Sequence, residues 1–384
     1  MKQIKYFDHA ATTAVDEQVL KNMLPYYDKE YGNPSSMYGI ARSARRAVEE
    51  SREKIAYIIG AKKNEIYFTS GGSESDNLAI KGIAYANRTK GNHIITSKIE
   101  HHAVLETCEV LETEGFEVTY LNVDENGFVN IEELKNAIQE NTILISIMFA
   151  NNEIGTVQPI KEIGKIAKQN NIIFHTDCVQ AMGNCLINVN EMNIDSLSMS
   201  GHKIYGPKGI GVLYVRESVE FQKLQNGGHQ ERDKRAGTEN VPGMIGMGIA
   251  LEMAYNHFER NIKHLEELKD YYLKEVEKRI PNIKLNGDRV KRLPGNCNIS
   301  FAGIDGEELL MKLDEYGICA SAGSACSTGS SSPSHVLQAI GVPDEMANGA
   351  LRITFGRENT KNDVDFLVEH LEKSVSELKN KDKG

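Results

Sequence analysis

Lys203 stands in the run Ser200-Gly-His-Lys-Ile-Tyr-Gly-Pro-Lys-Gly209, between His202 and the apolar Ile204. Partial desolvation lowers the pKa of such an amine and makes it nucleophilic toward an aldehyde, so Lys203 is a Schiff-base candidate. A solvated loop lysine is the competing reading, and it suits Lys208. Asp177 closes the run IIFHTD, with Gln180 three residues on. An acid at the carboxyl end of a parallel strand points into the crevice where such sheets bind ligands, and there a pyridinium nitrogen finds its partner. The same aspartate suits a capping role equally well. Paired with His175 it also suits a metal, but strand alternation supplies no third ligand.

Thr69-Ser-Gly-Gly-Ser-Glu-Ser-Asp76 follows a strand pattern and opens a helical one. Its amides and hydroxyls, Gly72 and Ser73 among them, are placed to hold a phosphate at the positive end of the helix dipole. The competing reading is a plain capping turn with Ser73 or Ser75 as N-cap. Neither a Walker loop nor a Gly-x-Gly-x-x-Gly fingerprint is present. His101 and His102 begin a helix directly after a strand, where an imidazole can lie flat over an aromatic ring, and Asn151 and Asn152 follow the run TILISIMFA in the same way. A lysine, a carboxylate, an imidazole and a phosphate cradle at neighbouring strand ends are the parts that pyridoxal phosphate requires.

Cys326 lies in Ala320-Ser-Ala-Gly-Ser-Ala-Cys-Ser-Thr-Gly-Ser-Ser-Ser-Pro333, with nothing apolar beside it to pack against. This reads as a reactive thiol, the alternative being an incidental one in a linker. Cys108, Cys185 and Cys297 sit among apolar neighbours and read as core residues. Six cysteines at irregular spacing form no disulfide framework, and no Cys-x-x-Cys marks a zinc site, so no metal is expected.

The elements that must position these groups alternate. From about residue 65 to 215 short β-rich runs exchange with helical patterns, which predicts a mostly parallel sheet covered by helices, an α/β class. Residues 242–280 read as one long helical stretch leading out of that unit. Beyond it NCNISF, EELLMKLDEY, LRITF and DVDFLVEHLEKSVSELK predict a smaller α+β domain. The expected division is 15–260 for the large cofactor-binding domain, and 1–14 with 261–384 for the small domain carrying the cysteine loop. The 384 residues carry 44 Lys and Arg against 54 Asp and Glu, a net charge of −10, which opposes a generic grip on nucleic acid. No stretch approaches the length of a membrane span and no leader pattern opens the chain, so a cytoplasmic protein is expected.

FTSGGSESDNLAIKG, EHHAVLETC, NNEIGTVQPI, SGHKIYGPKGIG, RAGTENVPG and SAGSACS, between YFDHAATT near the start and LRITFGR near the end, resemble the cysteine desulfurases of the NifS/IscS type. These lie within the class V aminotransferase group of fold-type I pyridoxal phosphate enzymes. The resemblance implies that Lys203 bonds the cofactor aldehyde, Asp177 pairs with the ring nitrogen, His101 stacks on the ring and Gln180 meets its hydroxyl. It places Asn152 near ring and substrate, gives the phosphate to Gly72, Ser73, Ser200 and His202, and brings Thr238 from a second subunit of a homodimer. Arg352, aided by Asn152, clamps the substrate carboxylate, and Cys326 accepts the sulfur of L-cysteine as a persulfide. Ser73 stands where the family often has threonine, and Cys178 where a small residue is common. The sulfur acceptor, an iron-sulfur scaffold or another protein serving transfer RNA thiolation or nitrogenase maturation, is not legible in the residues. Neither is a preference for cysteine over selenocysteine. A class V transaminase or a non-catalytic scaffold are the rival readings.

Overall fold

The computed structural model describes residues 4–322 and 333–381. Cys326 lies outside the described residues. In chain order, β1 (Lys5–Tyr6) precedes β2 (Ile66–Thr69), β3 (His93–Ser97), β4 (Glu117–Leu121), β5 (Thr142–Ser146), β6 (Ile173–Asp177), β7 (Ser196–Ser200) and β8 (Gly211–Val215). The last third holds β9 (Ile283–Leu285), β10 (Asn296–Phe301), β11 (Ile318–Cys319), β12 (Ser321–Ala322) and β13 (Ala350–Thr354).

The strands β2 to β8 form one sheet in the order β2-β8-β7-β6-β5-β3-β4. Neighbours from β7 through to β4 are parallel, and β8 runs against both β7 and β2. Strands β3, β5, β7 and β8 are buried along their whole length, as expected for a sheet with helices on both faces. On one face Phe68, Phe149, Phe174 and Tyr214 share a core with Ile55 and Ile59 of the helix Gly39–Ile59 and with Met247 and Leu251. On the other, Leu78 and Ile83 of the helix Gly72–Asn87 pack with Val104 and Leu111 of the helix His102–Thr113.

A separate core joins Phe7, Tyr272, Phe301, Phe355 and Leu371 around the antiparallel sheet β12-β13-β10-β9. The expected long helix over 242–280 is two helices, Val241–Asn256 and Phe258–Arg279, separated at His257, whose φ of −113° and ψ of 14° leave the helical region. The break falls where the burial pattern changes. Val241–Asn256 is apolar nearly all round and lies in the first core, whereas Phe258–Arg279 turns one stripe, Leu265, Leu268, Tyr272 and Val276, to the separate one.

Candidate active site

The carboxyl ends of β6 and β7 face a cavity of about 280 Å³, close to the small-molecule range, which starts at roughly 300 Å³. Asp177 ends β6, Ser200 ends β7, and the short turn Gly201–Lys203 carries His202 and Lys203 into the wall. The loop after β2 brings Gly72 and Ser73 to the same wall at the start of the 16-residue helix Gly72–Asn87. A side chain at position 72 has no room, since its Cβ would come within 2.6 Å of Val179 Cγ2. His101, Asn152 and Gln180 complete that side, and Arg352 reaches across from β13.

Thus ten of the residues selected from the sequence, Gly72, Ser73, His101, Asn152, Asp177, Gln180, Ser200, His202, Lys203 and Arg352, line one cavity. Thr238 does not: it is exposed on the segment before the helix Val241–Asn256, away from this wall. Neither Ser73 nor Ser75 is the N-cap, a place taken by Gly71, and Ser75 instead bonds Thr69 Oγ1 at 2.7 Å. The two asparagines divide. Asn151 is buried and serves the turn, donating to Ile99 O and accepting from the Glu153 and Ile154 amides, while Asn152 faces the cavity.

Lys203 Nζ donates to the carbonyl oxygens of Ala10 and Ala11, the second at 2.7 Å. Gln180 Nε2 donates to the same Ala10 oxygen at 2.8 Å, so the amino-terminal strip YFDHAATT forms the roof over the amine. His101 is the N-cap of its helix, its Nδ1 accepting from the Ala103 amide at 3.1 Å. That bond fixes the ring beside the cavity and leaves Nδ1 without a proton. His202 Nδ1 lies 3.1 Å from Thr12 Oγ1, and burial, then Lys203 and Lys208, lower its pKa to about 4.

Asp177 is 7% exposed and takes the Val179 amide at 2.8 Å, so the local turn and the cavity share one carboxylate. Burial, and after it the neighbouring Asp76 carboxyl, push its pKa up. A cation or a strong donor in the cavity reverses that shift, which is the electrostatic demand a protonated ring nitrogen satisfies. His175 pairs with Ser196 Oγ at 3.1 Å and Asp76 Oδ1 at 3.3 Å, and burial lowers its pKa to about 4, so it is neutral. Among the described residues no group of three His, Cys, Asp or Glu side chains is placed to hold a metal.

Sequence reasoning passed over several carboxyls at this site. Asp76 shares the buried surface of its helix with Leu78, Ala79, Ile80 and Ile83, and an acid among residues of that kind is the signal that marks it. Glu153 is buried behind Asn152 and accepts from Ser334 Oγ at 2.5 Å. Burial raises the Glu153 carboxyl to about 7 against the opposing pull of Ser334 and Arg352, and burial likewise raises Glu100 to about 8. The folded state therefore holds these protons more tightly than the unfolded chain does. Stability is fully present below the ordinary carboxyl pKa and is lost as pH rises toward the folded values. Buried neutral His175 and His202 give the opposite slope below about pH 6.5, so the Glu153 share is read as a difference: from about pH 5 to pH 8 the wild type is expected to lose on the order of 3 kcal/mol relative to Glu153→Gln. A stability difference between the two proteins that does not change across that window contradicts the assignment.

Residues 5–367 match the family described as Aminotransferase class-V. The chain is 54% identical to cysteine desulfurase IscS of Clostridium botulinum over 98% of its length and 95% of the relative's. It is 56% identical to cysteine desulfurase IscS of Methanosarcina thermophila over 98% of its length and 93% of the relative's. A solved NifS-like protein superposes with a TM-score of 0.92 at 38% identity, covering 97% of this chain and 100% of that one. A structure of SspA in complex with cysteine superposes with a TM-score of 0.82 at 41% identity, covering 93% and 100%. With the α/β architecture and the cavity at its strand ends, these matches show that the chain belongs to the class-V aminotransferase family, among its NifS/IscS-type members.

Proposed function

We propose that this chain is a pyridoxal phosphate-dependent cysteine desulfurase. It converts L-cysteine to L-alanine and passes the sulfur, as a persulfide on Cys326, to an acceptor such as an iron-sulfur scaffold protein. The observation that carries the reading is the convergence of Lys203, Asp177 and Arg352 on one cavity, in a chain 54% identical to relatives named for that activity.

The donor set fits the cofactor. A helix start with Gly72 and Ser73, together with Ser200 and His202, offers amides, hydroxyls and an imidazole for the phosphate. Asp177 is a buried carboxyl whose raised pKa calls for a cationic neighbour, and His101 is fixed beside it as the flat group for the ring face. When bound, pyridoxal phosphate supplies an aldehyde for amine exchange and a ring that withdraws electrons. Lys203 Nζ would hold that aldehyde and, as a free amine, would move the α-proton of the substrate. Asp177 would pair with the ring nitrogen and keep a proton there. Arg352 orients the substrate carboxylate. Cys326 Sγ then attacks the substrate sulfur, the carbon–sulfur bond breaks as the sulfur–sulfur bond forms, and the three-carbon remainder is protonated to alanine.

The homodimer belongs to the same reading. Leu24, Tyr27, Tyr31, Met37 and Tyr38 are exposed within one short stretch, an apolar surface suited to a second copy, and the exposed Thr238 is free to reach a neighbour's phosphate. No helix among the described residues is long and apolar enough to cross a membrane. Cofactor-loaded protein given L-cysteine and a thiol reductant is expected to release alanine and sulfide in equal amounts, and to sediment as a dimer. Cysteine transaminated to a keto acid with no sulfide released would overturn the proposal.

A further inference from the structure

Arg352 is held from two sides before any substrate arrives. It is 4% exposed, its Nη1 donates to Asn152 O at 3.1 Å, and its Nη2 donates to Asp8 Oδ1 at 2.9 Å. Its Nε is buried and has no hydrogen-bond partner among the described residues. Arg352 nonetheless lines the cavity. A planar fork tied at two corners keeps one orientation.

Asp8 is itself fixed. Its second oxygen, Oδ2, accepts from Ser321 Oγ at 2.8 Å, its carbonyl accepts from Tyr6 OH at 3.0 Å, and its backbone bridges Thr354, the last residue of β13. Ser321 is the β12 residue in register with Arg352 of β13, so the carboxylate spans both strands and ties the amino-terminal strip to them. The Asp8 side chain is mostly shielded from water, at 14% exposure, which keeps the ion pair from being screened away.

We propose that Asp8 is a positioning residue for Arg352: its carboxylate sets the plane of the guanidinium, so that the fork is presented to the carboxylate of the amino-acid substrate in one orientation. The inference rests on the reading of Arg352 as the substrate clamp and goes beyond it by assigning the group that aims the clamp. Asp8 touches neither substrate nor cofactor in this role.

The test is a double-mutant cycle on the cofactor-loaded protein, read by the affinity for L-alanine from the cofactor's absorbance change and by steady-state kinetics with L-cysteine. Asp8→Ala is expected to weaken alanine binding and raise KM roughly tenfold or more, the size of a hydrogen bond to a charged group, with kcat nearly unchanged. Asp8→Asn, which keeps an acceptor oxygen for Nη2, restores part of that affinity. In an Arg352→Ala background Asp8→Ala costs nothing further. Equal losses with and without Arg352 would make Asp8 a structural residue and overturn the proposal, as would tighter alanine binding in Asp8→Ala, the mark of a competing counter-ion. If Arg352→Ala alone leaves alanine affinity intact, the clamp reading fails first and the Asp8 role falls with it. Should Asp8→Ala not fold, Asp8→Glu, which shifts the carboxylate by one methylene, carries the same cycle.

Discussion

Lys203→Ala is expected to abolish the near-visible absorbance of the cofactor-loaded protein and to lower alanine formation from cysteine by about three orders of magnitude or more. Two separate losses add to that figure. In the proposed reaction the amine is the covalent tether of the aldehyde and also the group that carries the α-proton. No other lysine lines the cavity among the described residues, so no neighbour takes over either task. The fold should survive, since the hydrogen bonds from this side chain to Ala10 O and Ala11 O lie at the roof of the cavity and outside the hydrophobic cores. Absorbance of the reconstituted variant and a single-turnover alanine assay check this. A variant that keeps the band has its tether elsewhere.

Cys326→Ser is expected to behave differently: the absorbance stays, while sulfide release falls by roughly a thousandfold, because a hydroxyl is a poor nucleophile toward sulfur where a thiolate is a good one. The other cysteines offer no substitute. Burial raises Cys108, Cys185 and Cys297 to about 12, raises Cys178 well above the ordinary thiol value, and shifts Cys319 upward as well. Cys178 is the instructive case. It follows the cavity aspartate in sequence yet is fully buried in the core, so adjacency to the site gives it neither access nor charge. Sulfide release from cysteine by the serine variant at the normal rate would remove Cys326 from the mechanism.

Much of this site was legible in the sequence because parallel strands place their carboxyl ends on one edge. Asp177, Ser200, Lys203, His101 and Asn152 each follow a β-rich run, and a one-dimensional reading of strand ends therefore gathers them in space. Arg352 came from resemblance alone, since nothing in the run LRITF says that β13 faces the cavity. What escaped was contact between distant segments. Asp8 meets Arg352, 344 positions later, through strand pairing that no local pattern encodes. Asp76 and Glu153 are acids whose burial depends on which helix face or loop is covered, and that is decided by tertiary packing. The division at His257 was hidden for a related reason: helical spacing continues through it, and the change is in which core the apolar stripe faces.

The central step is the movement of sulfur from substrate to Cys326 in a reaction that depends on Lys203. Mass spectrometry of the intact chain and its peptides, after brief exposure of the loaded enzyme to L-cysteine without reductant, reads that transfer directly. The expected result is the mass of one added sulfur atom on the peptide containing Cys326, alanine released in step with it, and no adduct in Lys203→Ala. Alanine released while the Cys326 peptide stays unmodified, or an adduct on another cysteine in its place, would contradict the account.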